Sequence, residues 1–195
     1  MNKPTSLFAL ALLLLTVRSG VAAQRSLSAK DSALFRAAIS GTASDVRAAI
    51  KNGADVNVKM ENGSTILIYA SANNTDADVI KALIAAGADV NARGDDGFTA
   101  LMAAAGGNTN PNVIKVLAGA GADLDARARD GFSALMVAAY KSTSPDVVKA
   151  LIAAGADIDA QDDSGRKASQ YLEARRDYDT FCATAAYEAM RKLLY

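Results

Sequence analysis

The chain contains no histidine. That removes the usual general base near neutral pH and the commonest protein ligand of zinc, copper and haem iron. Cysteine is nearly absent as well: Cys182 stands alone, so neither an intrachain disulfide nor a thiolate cluster for a structural metal can form. Charge of one sign is also missing. The 21 Lys plus Arg balance 21 Asp plus Glu, which leaves no global field to draw the chain to nucleic acid or to an anionic membrane. Any charge argument is therefore local. What the sequence does have is apolar material, 51% hydrophobic against 22% charged over 195 residues, enough to bury a core and set disorder aside.

A bilayer-length apolar run is lacking near the N-terminus. Residues 7–17 (LFALALLLLTV) are uncharged and apolar, but a spanning helix needs roughly 18 or more such residues. The run follows Lys3 and precedes Val21-Ala22-Ala23, the small residues that a signal peptidase accepts. Residues 1–23 read as a signal peptide cleaved after Ala23; the alternative is an uncleaved anchor. Gln24 follows, so there is no cysteine at that place to lipidate. Loss of Lys3 and Arg18 leaves 19 basic against 21 acidic residues, a net charge of −2. The expected product is monomeric, without stable membrane insertion, in the periplasm of a bacterial host; secretion to the extracellular space is the alternative.

The remainder repeats itself. GADVN occurs at Gly53 and Gly87, becomes GADLD at Gly121 and GADID at Gly155, and each step is 34. A second marker keeps that step: NGST at Asn62, DGFTALM at Asp96, DGFSALM at Asp130 and SGRKA at Ser164. Between the markers, Val79, Ile80, Leu83 and Ile84 recur as Val113, Ile114 and Leu117 and as Val147, Val148, Leu151 and Ile152, the one-faced spacing of a helix. Asn110-Pro111 and Ser144-Pro145 supply start signals. Gly87, Gly121 and Gly155 supply stops. A shorter, Ala-rich helix is expected to begin near Thr65, Thr99 and Ser133.

These markers resemble the ankyrin repeat, in which GADVNA closes one unit and DGxTxL opens the next. The resemblance implies an all-α solenoid of helix pairs with β-hairpin fingers, about five units including both caps, at 26–59, 60–93, 94–127, 128–161 and 162–195. A short linker (24–30) precedes a repeat domain spanning 31–195. The family's proline and histidine after the Thr are replaced by Ile66-Leu67-Ile68, Ala100-Leu101-Met102 and Ala134-Leu135-Met136. The family's usual period is 33. The extra residue is expected between the paired helices, within 73–78, 106–112 and 140–146, where insertion is tolerated. The first unit keeps Leu34, Ala37, Val46 and Ile50 without a DGxT opening and reads as a cap. In the last unit Phe181, Cys182, Ala185, Ala186, Ala189, Met190, Leu193 and Leu194 form one stripe. On that stripe Cys182 is expected to be a buried thiol.

Catalysis finds no support in the residues. Asp55, Asp89, Asp123 and Asp157 recur once per unit, which marks turn stabilisation rather than an acid/base pair. Residues 157–165 (DIDAQDDSG) are acidic but lack the ligand spacing, the glycine and the terminal glutamate of a calcium loop. Asn62-Gly63-Ser64 and Asn73-Asn74-Thr75 match a glycosylation acceptor in a eukaryotic host. No cofactor, metal or nucleic acid is expected, and no enzyme activity. A protein partner is expected instead, because solenoids present one continuous surface from equivalent positions. The resemblance places that surface on the finger tips and the ends of the short helices: Lys59, Glu61, Asn62 and Ser64; Arg93, Asp95, Asp96 and Phe98; Arg127, Arg129, Asp130 and Phe132; Gln161, Asp163, Ser164 and Arg166; with Asn73, Tyr140 and Lys141. Within it, Phe98 and Phe132, flanked by Arg93, Asp95, Arg127, Arg129, Tyr140 and Lys141, are expected to form an exposed contact patch; the alternative is that each phenylalanine lies against the next finger and the mixed charge is an ordinary solvated face. On the first reading their truncation would leave stability nearly unchanged. The resemblance suggests an accessory or immunity role, or else a secreted effector acting on host proteins.

Overall fold

The computed structural model describes residues 27–176 and 185–195; the expected signal peptide and Cys182 lie outside them. Among the described residues ten α-helices pair into five units: α1 (Ala29–Ser40) with α2 (Ala43–Lys51), α3 (Ile66–Asn73) with α4 (Ala77–Ala85), α5 (Ala100–Gly107) with α6 (Pro111–Gly119), α7 (Ala134–Lys141) with α8 (Pro145–Ala154), and α9 (Ala168–Arg176) with α10 (Ala185–Leu194). Odd-numbered helices stack in an inner layer and even-numbered helices in an outer one, each helix against its counterpart in the next unit. The inner helices of the three middle units, α3, α5 and α7, have almost no polar face. Ile66 to Ala72 of α3 and Ala100 to Ala105 of α5 are buried throughout, as an apolar-all-round helix requires. The outer helices are two-faced: Val79, Ile80 and Leu83 of α4 are buried while Asp78 and Lys81 stand in solvent.

The expected helix signals have visible roles. Thr99 Oγ1 accepts from the Met102 amide (3.3 Å) and Ser133 Oγ from the Met136 amide (3.4 Å). Thr65 holds the same position without a side-chain capping bond. Asn110 caps α6 by accepting from the Asn112 amide, ahead of Pro111 in the first turn; Ser144 precedes Pro145 but makes no such bond. Gly87, Gly121 and Gly155 have φ of +91°, +86° and +105°, the left-handed conformation that glycine adopts at little cost.

Two ladders of side-chain amides and carboxylates tie the units together. At the outer end of each finger, Asn57 Nδ2 donates to the Gly87 carbonyl (2.9 Å) and its Oδ1 accepts from the Asp89 amide (2.9 Å). Asn91 repeats this with Gly121 and Asp123. Asp55, Asp89, Asp123 and Asp157 each accept from the amide two residues on, so the repeated aspartates do close turns. The second ladder lies in the loops between paired helices, where the extra residue was expected. Asn74 is buried and donates to the carbonyls of Ala38 (3.1 Å) and Gly41 (3.0 Å) of the unit before it. Asn108, also buried, donates to Ser71 (2.9 Å) and Asn74 (2.8 Å). Helix C-termini leave carbonyls without intrahelical partners, and these amides satisfy them from the neighbouring unit.

The fingers are shorter than a β-hairpin. Among the described residues there is no regular strand, only one antiparallel bridge, Lys59 with Thr65. Each finger is a tight turn closed by two amide-to-carbonyl bonds: an outer one, Met60 to Ser64, Gly94 to Phe98, Ala128 to Phe132 and Asp162 to Arg166, and an inner one, Gly63 to Met60, Gly97 to Gly94, Gly131 to Ala128 and Gly165 to Asp162. Arms of so few residues hold too few bonds to register as strands. The last outer helix buries Leu194 and half-buries Ala189 and Leu193.

Candidate functional site

The finger row is built by backbone. Asp95, Arg129 and Asp163 donate their amides to the carbonyls of Asn62 (3.0 Å), Asp96 (2.8 Å) and Asp130 (3.2 Å) in the preceding finger. The turn glycines make this stacking close: at Gly131, with φ of +78°, an added Cβ would stand 2.7 Å from the Asp163 amide nitrogen. The tips therefore form a continuous, rigidly spaced edge, and the side chains at equivalent positions line up along it.

What faces solvent on that edge is mostly charged, with Gln161 and Ser164 exposed and neutral. Lys59, Glu61, Arg93, Asp95, Arg127, Arg129, Asp130, Gln161 and Asp163 are exposed. Asp96 is partly withdrawn, its Oδ1 accepting from the Phe98 amide (3.0 Å). Ser64 is buried. Three arginines lie across the gaps between fingers. Arg93 donates to the Arg127 carbonyl and Arg127 to the Gln161 carbonyl, while Arg129 reaches back to the Asp95 carbonyl at 3.2 Å.

Phe98 and Phe132 are not part of this surface. They are 6% and 2% exposed, which corrects the expectation of an exposed aromatic patch. The left-handed glycine before each reverses the chain, so the ring turns in beneath the finger. There Phe132 packs on Tyr171 with ring centroids 4.8 Å apart. Tyr140 also meets Tyr171, edge to face at 6.3 Å, and keeps part of its ring in solvent with the Lys141 amine 5.8 Å from its centroid. Of the eight expected contact residues, Arg93, Asp95, Arg127 and Arg129 are exposed at the finger tips. Tyr140 and Lys141 sit half-buried at the end of α7.

Below the last finger lies a charged network that the residue pattern did not point out. Asp162 occupies a turn position filled by Met60, Gly94 and Ala128 in the other units, and its side chain is 1% exposed. Burial alone would raise its carboxyl. Hydrogen bonds from Tyr171, from the backbone and guanidinium of Arg166 and from the Ser164 amide outweigh that and hold it below its ordinary value. Arg166 Nη2 is 2.9 Å from Asp162 and the guanidinium lies 4.8 Å from the Tyr171 ring. Burial, then the bond to Asp162, pushes the Tyr171 phenol well above its usual range. Tyr69, the equivalent residue three units earlier, donates nothing of this kind. It accepts from Asn62 Nδ2 (3.2 Å) and packs on Phe35.

The described residues hold no group of three or more acids or cysteines placed to bind a metal. The acids of 157–165 are engaged within the chain: Asp157 accepts from the Asp159 amide, Asp159 pairs with Lys167 at 2.8 Å, and Asp162 pairs with Arg166. On the outer side an open hollow of about 470 Å³ lies between α4 and α6, lined among others by Asp76, Asp78, Lys81, Asn110 and Lys115. Among the described residues no helix is long and apolar enough to cross a membrane.

A family model described as ankyrin repeats (3 copies) matches residues 6–94 and 71–162. The chain belongs to the ankyrin-repeat family. No curated protein matches it. Ankyrin repeats serve as protein-interaction modules. The inward turn of the two phenylalanines follows the alternative reading of their position, and the buried asparagines were left unremarked. The second had a signal: Asn74-Thr75-Asp76, Asn108-Thr109-Asn110 and Ser142-Thr143-Ser144 are a third marker at the 34-residue step.

Proposed function

We propose that this ankyrin-repeat chain is an exported, non-catalytic binding protein, of accessory or immunity type, that holds a protein partner on its finger edge. The observation that carries this reading is the evenly spaced row of exposed charged side chains on fingers each joined to the next by a backbone hydrogen bond. A preordered surface loses little freedom on binding. Export rests on the signal-like residues 1–23, and the compartment it implies is the periplasm of a bacterial host.

The test combines crosslinking in the native compartment with affinity capture and mass spectrometry. A finger variant carrying Lys59→Glu, Asp95→Lys and Arg129→Glu should lose the partner held by the wild type. A control carrying Lys115→Glu and Lys149→Glu on the outer helices should keep it. Equal capture by both variants would overturn the finger edge as the binding face. Recovery of the mature chain, beginning at Gln24, in the culture medium or in host cells would favour a secreted effector.

A further inference from the structure

The three finger arginines differ from the other exposed charges in how they are held. Arg93 and Arg129 cross the same gap in opposite directions, one forward to the Arg127 carbonyl and one back to the Asp95 carbonyl. Arg127 crosses the next gap to Gln161. Each is pinned by a neutral acceptor. Among the described residues neither Arg93 nor Arg129 has a carboxylate within ion-pair distance, and Arg127 has only Asp163 at 3.5 Å, with both side chains largely in solvent. A carbonyl takes one N–H and leaves the rest of the guanidinium fork, and its whole charge, unspent. By contrast, Arg166 is neutralised by a buried carboxylate and stacked on a ring.

We propose that Arg93, Arg127 and Arg129 form a preordered carboxylate-binding row, and that the partner segment seated on it is an acidic peptide stretch presenting Asp and Glu side chains. This rests on the finger edge being the binding face. An ordinary surface arginine surrenders rotamer freedom when it binds an anion. These three have surrendered it on folding, so a carboxylate meets forks already in place. The exposed acids Asp95, Asp130 and Asp163 between them set the spacing, because they repel carboxylates that fall out of register with the arginines. Since the edge carries both signs, recognition comes from fork geometry rather than from a long-range field. That feature separates an acidic peptide from a polyphosphate backbone, whose affinity is dominated by counterion release.

The test uses the full chain and short fluorescent peptides of alternating Glu and Ser, alternating Lys and Ser, and labelled single-stranded RNA, followed by anisotropy across a salt series. The Glu peptide should bind, the Lys peptide should not, and RNA should bind more weakly at physiological salt. Arg127→Gln with Arg129→Gln should weaken the Glu peptide by roughly tenfold or more. Arg127→Lys with Arg129→Lys, which keeps the charge and loses the fork, should recover only part of that. Lys115→Gln should change nothing. Circular dichroism confirms that each variant is folded. No binding of the Glu peptide, full rescue by lysine, or RNA binding as tight as the Glu peptide would each overturn the proposal. Finger-variant loss of the captured partner alongside unaltered capture by the arginine-to-glutamine variant would sink the arginine row alone, and the finger edge would stand.

Discussion

The buried asparagine of the interhelical loop makes the sharpest stability prediction. Asn108 is 3% exposed, donates two hydrogen bonds to the Ser71 and Asn74 carbonyls and accepts one from the Asn110 amide at 2.9 Å. Asn108→Ala strands two buried carbonyls at the junction of two units, while the half-exposed Asn110 amide can turn to water. At about 1–3 kcal/mol for each stranded buried group, the expected loss is about 2–6 kcal/mol. For a chain of this length that corresponds to a fall of about 4–24 °C in the thermal midpoint. Asn108→Asp keeps the shape and the acceptor but points a buried negative charge at the same two carbonyl oxygens. At neutral pH it should cost more than alanine, and the excess should shrink as acidification neutralises the carboxylate. Asn108→Ser reproduces the residue found one unit later at Ser142 and should cost less than either. Urea unfolding followed by far-UV circular dichroism measures all three, as shifts in midpoint at constant slope. Two results would refute the reasoning: Asn108→Ala within about 0.5 kcal/mol of wild type, the range of an ordinary surface change, or Asn108→Asp no worse than alanine at pH 7.

Phe132→Ala empties a site packed on Tyr171 and should destabilise by about 3–5 kcal/mol, with Phe98→Ala close behind; an unmoved thermal midpoint for either variant would contradict their burial. The Asp162 network makes stability depend on pH at both ends. Because the folded Asp162 carboxyl titrates below its unfolded value, its contribution is complete above about pH 4 and is lost as pH falls through the lowered folded value. Because the folded Tyr171 phenol titrates above its unfolded value, its contribution is complete below about pH 10 and is lost as pH rises through the raised folded value. Urea midpoints measured across pH should show the acid limb flattened in Asp162→Asn and the alkaline limb flattened in Tyr171→Phe. Wild-type slopes in both variants would show that the network is not what titrates.

Most of the architecture was legible because a solenoid places equivalent residues in equivalent surroundings. A step of 34 in two independent markers locates every unit, and once located, Thr99 and Ser133 fall at helix starts, Gly87 and Gly121 at helix ends, and Asp89 and Asp123 in turns. Each of those roles depends only on backbone a few residues away. The site was legible only in part, because exposure depends on direction as well as position. Phe98 lies on the finger, as its place after Asp96-Gly97 requires, yet the left-handed glycine swings its ring inward. The periodicity carries no record of that, since a buried and an exposed phenylalanine repeat equally well.

Arginine shows the complementary limit. Arg93 and Arg127 share a column at the 34-residue step and Arg129 does not, so the pattern sets Arg129 apart from the other two. The fold brings them together, because a guanidinium is long enough to cross from one finger to the next and the carbonyls it meets belong to residues 34 away. Their common feature, a fixed fork with unspent charge, belongs to the gap between two fingers rather than to any unit. It therefore appears only once the units are stacked, and it moves the proposed recognition on this edge from exposed aromatics to arginine geometry.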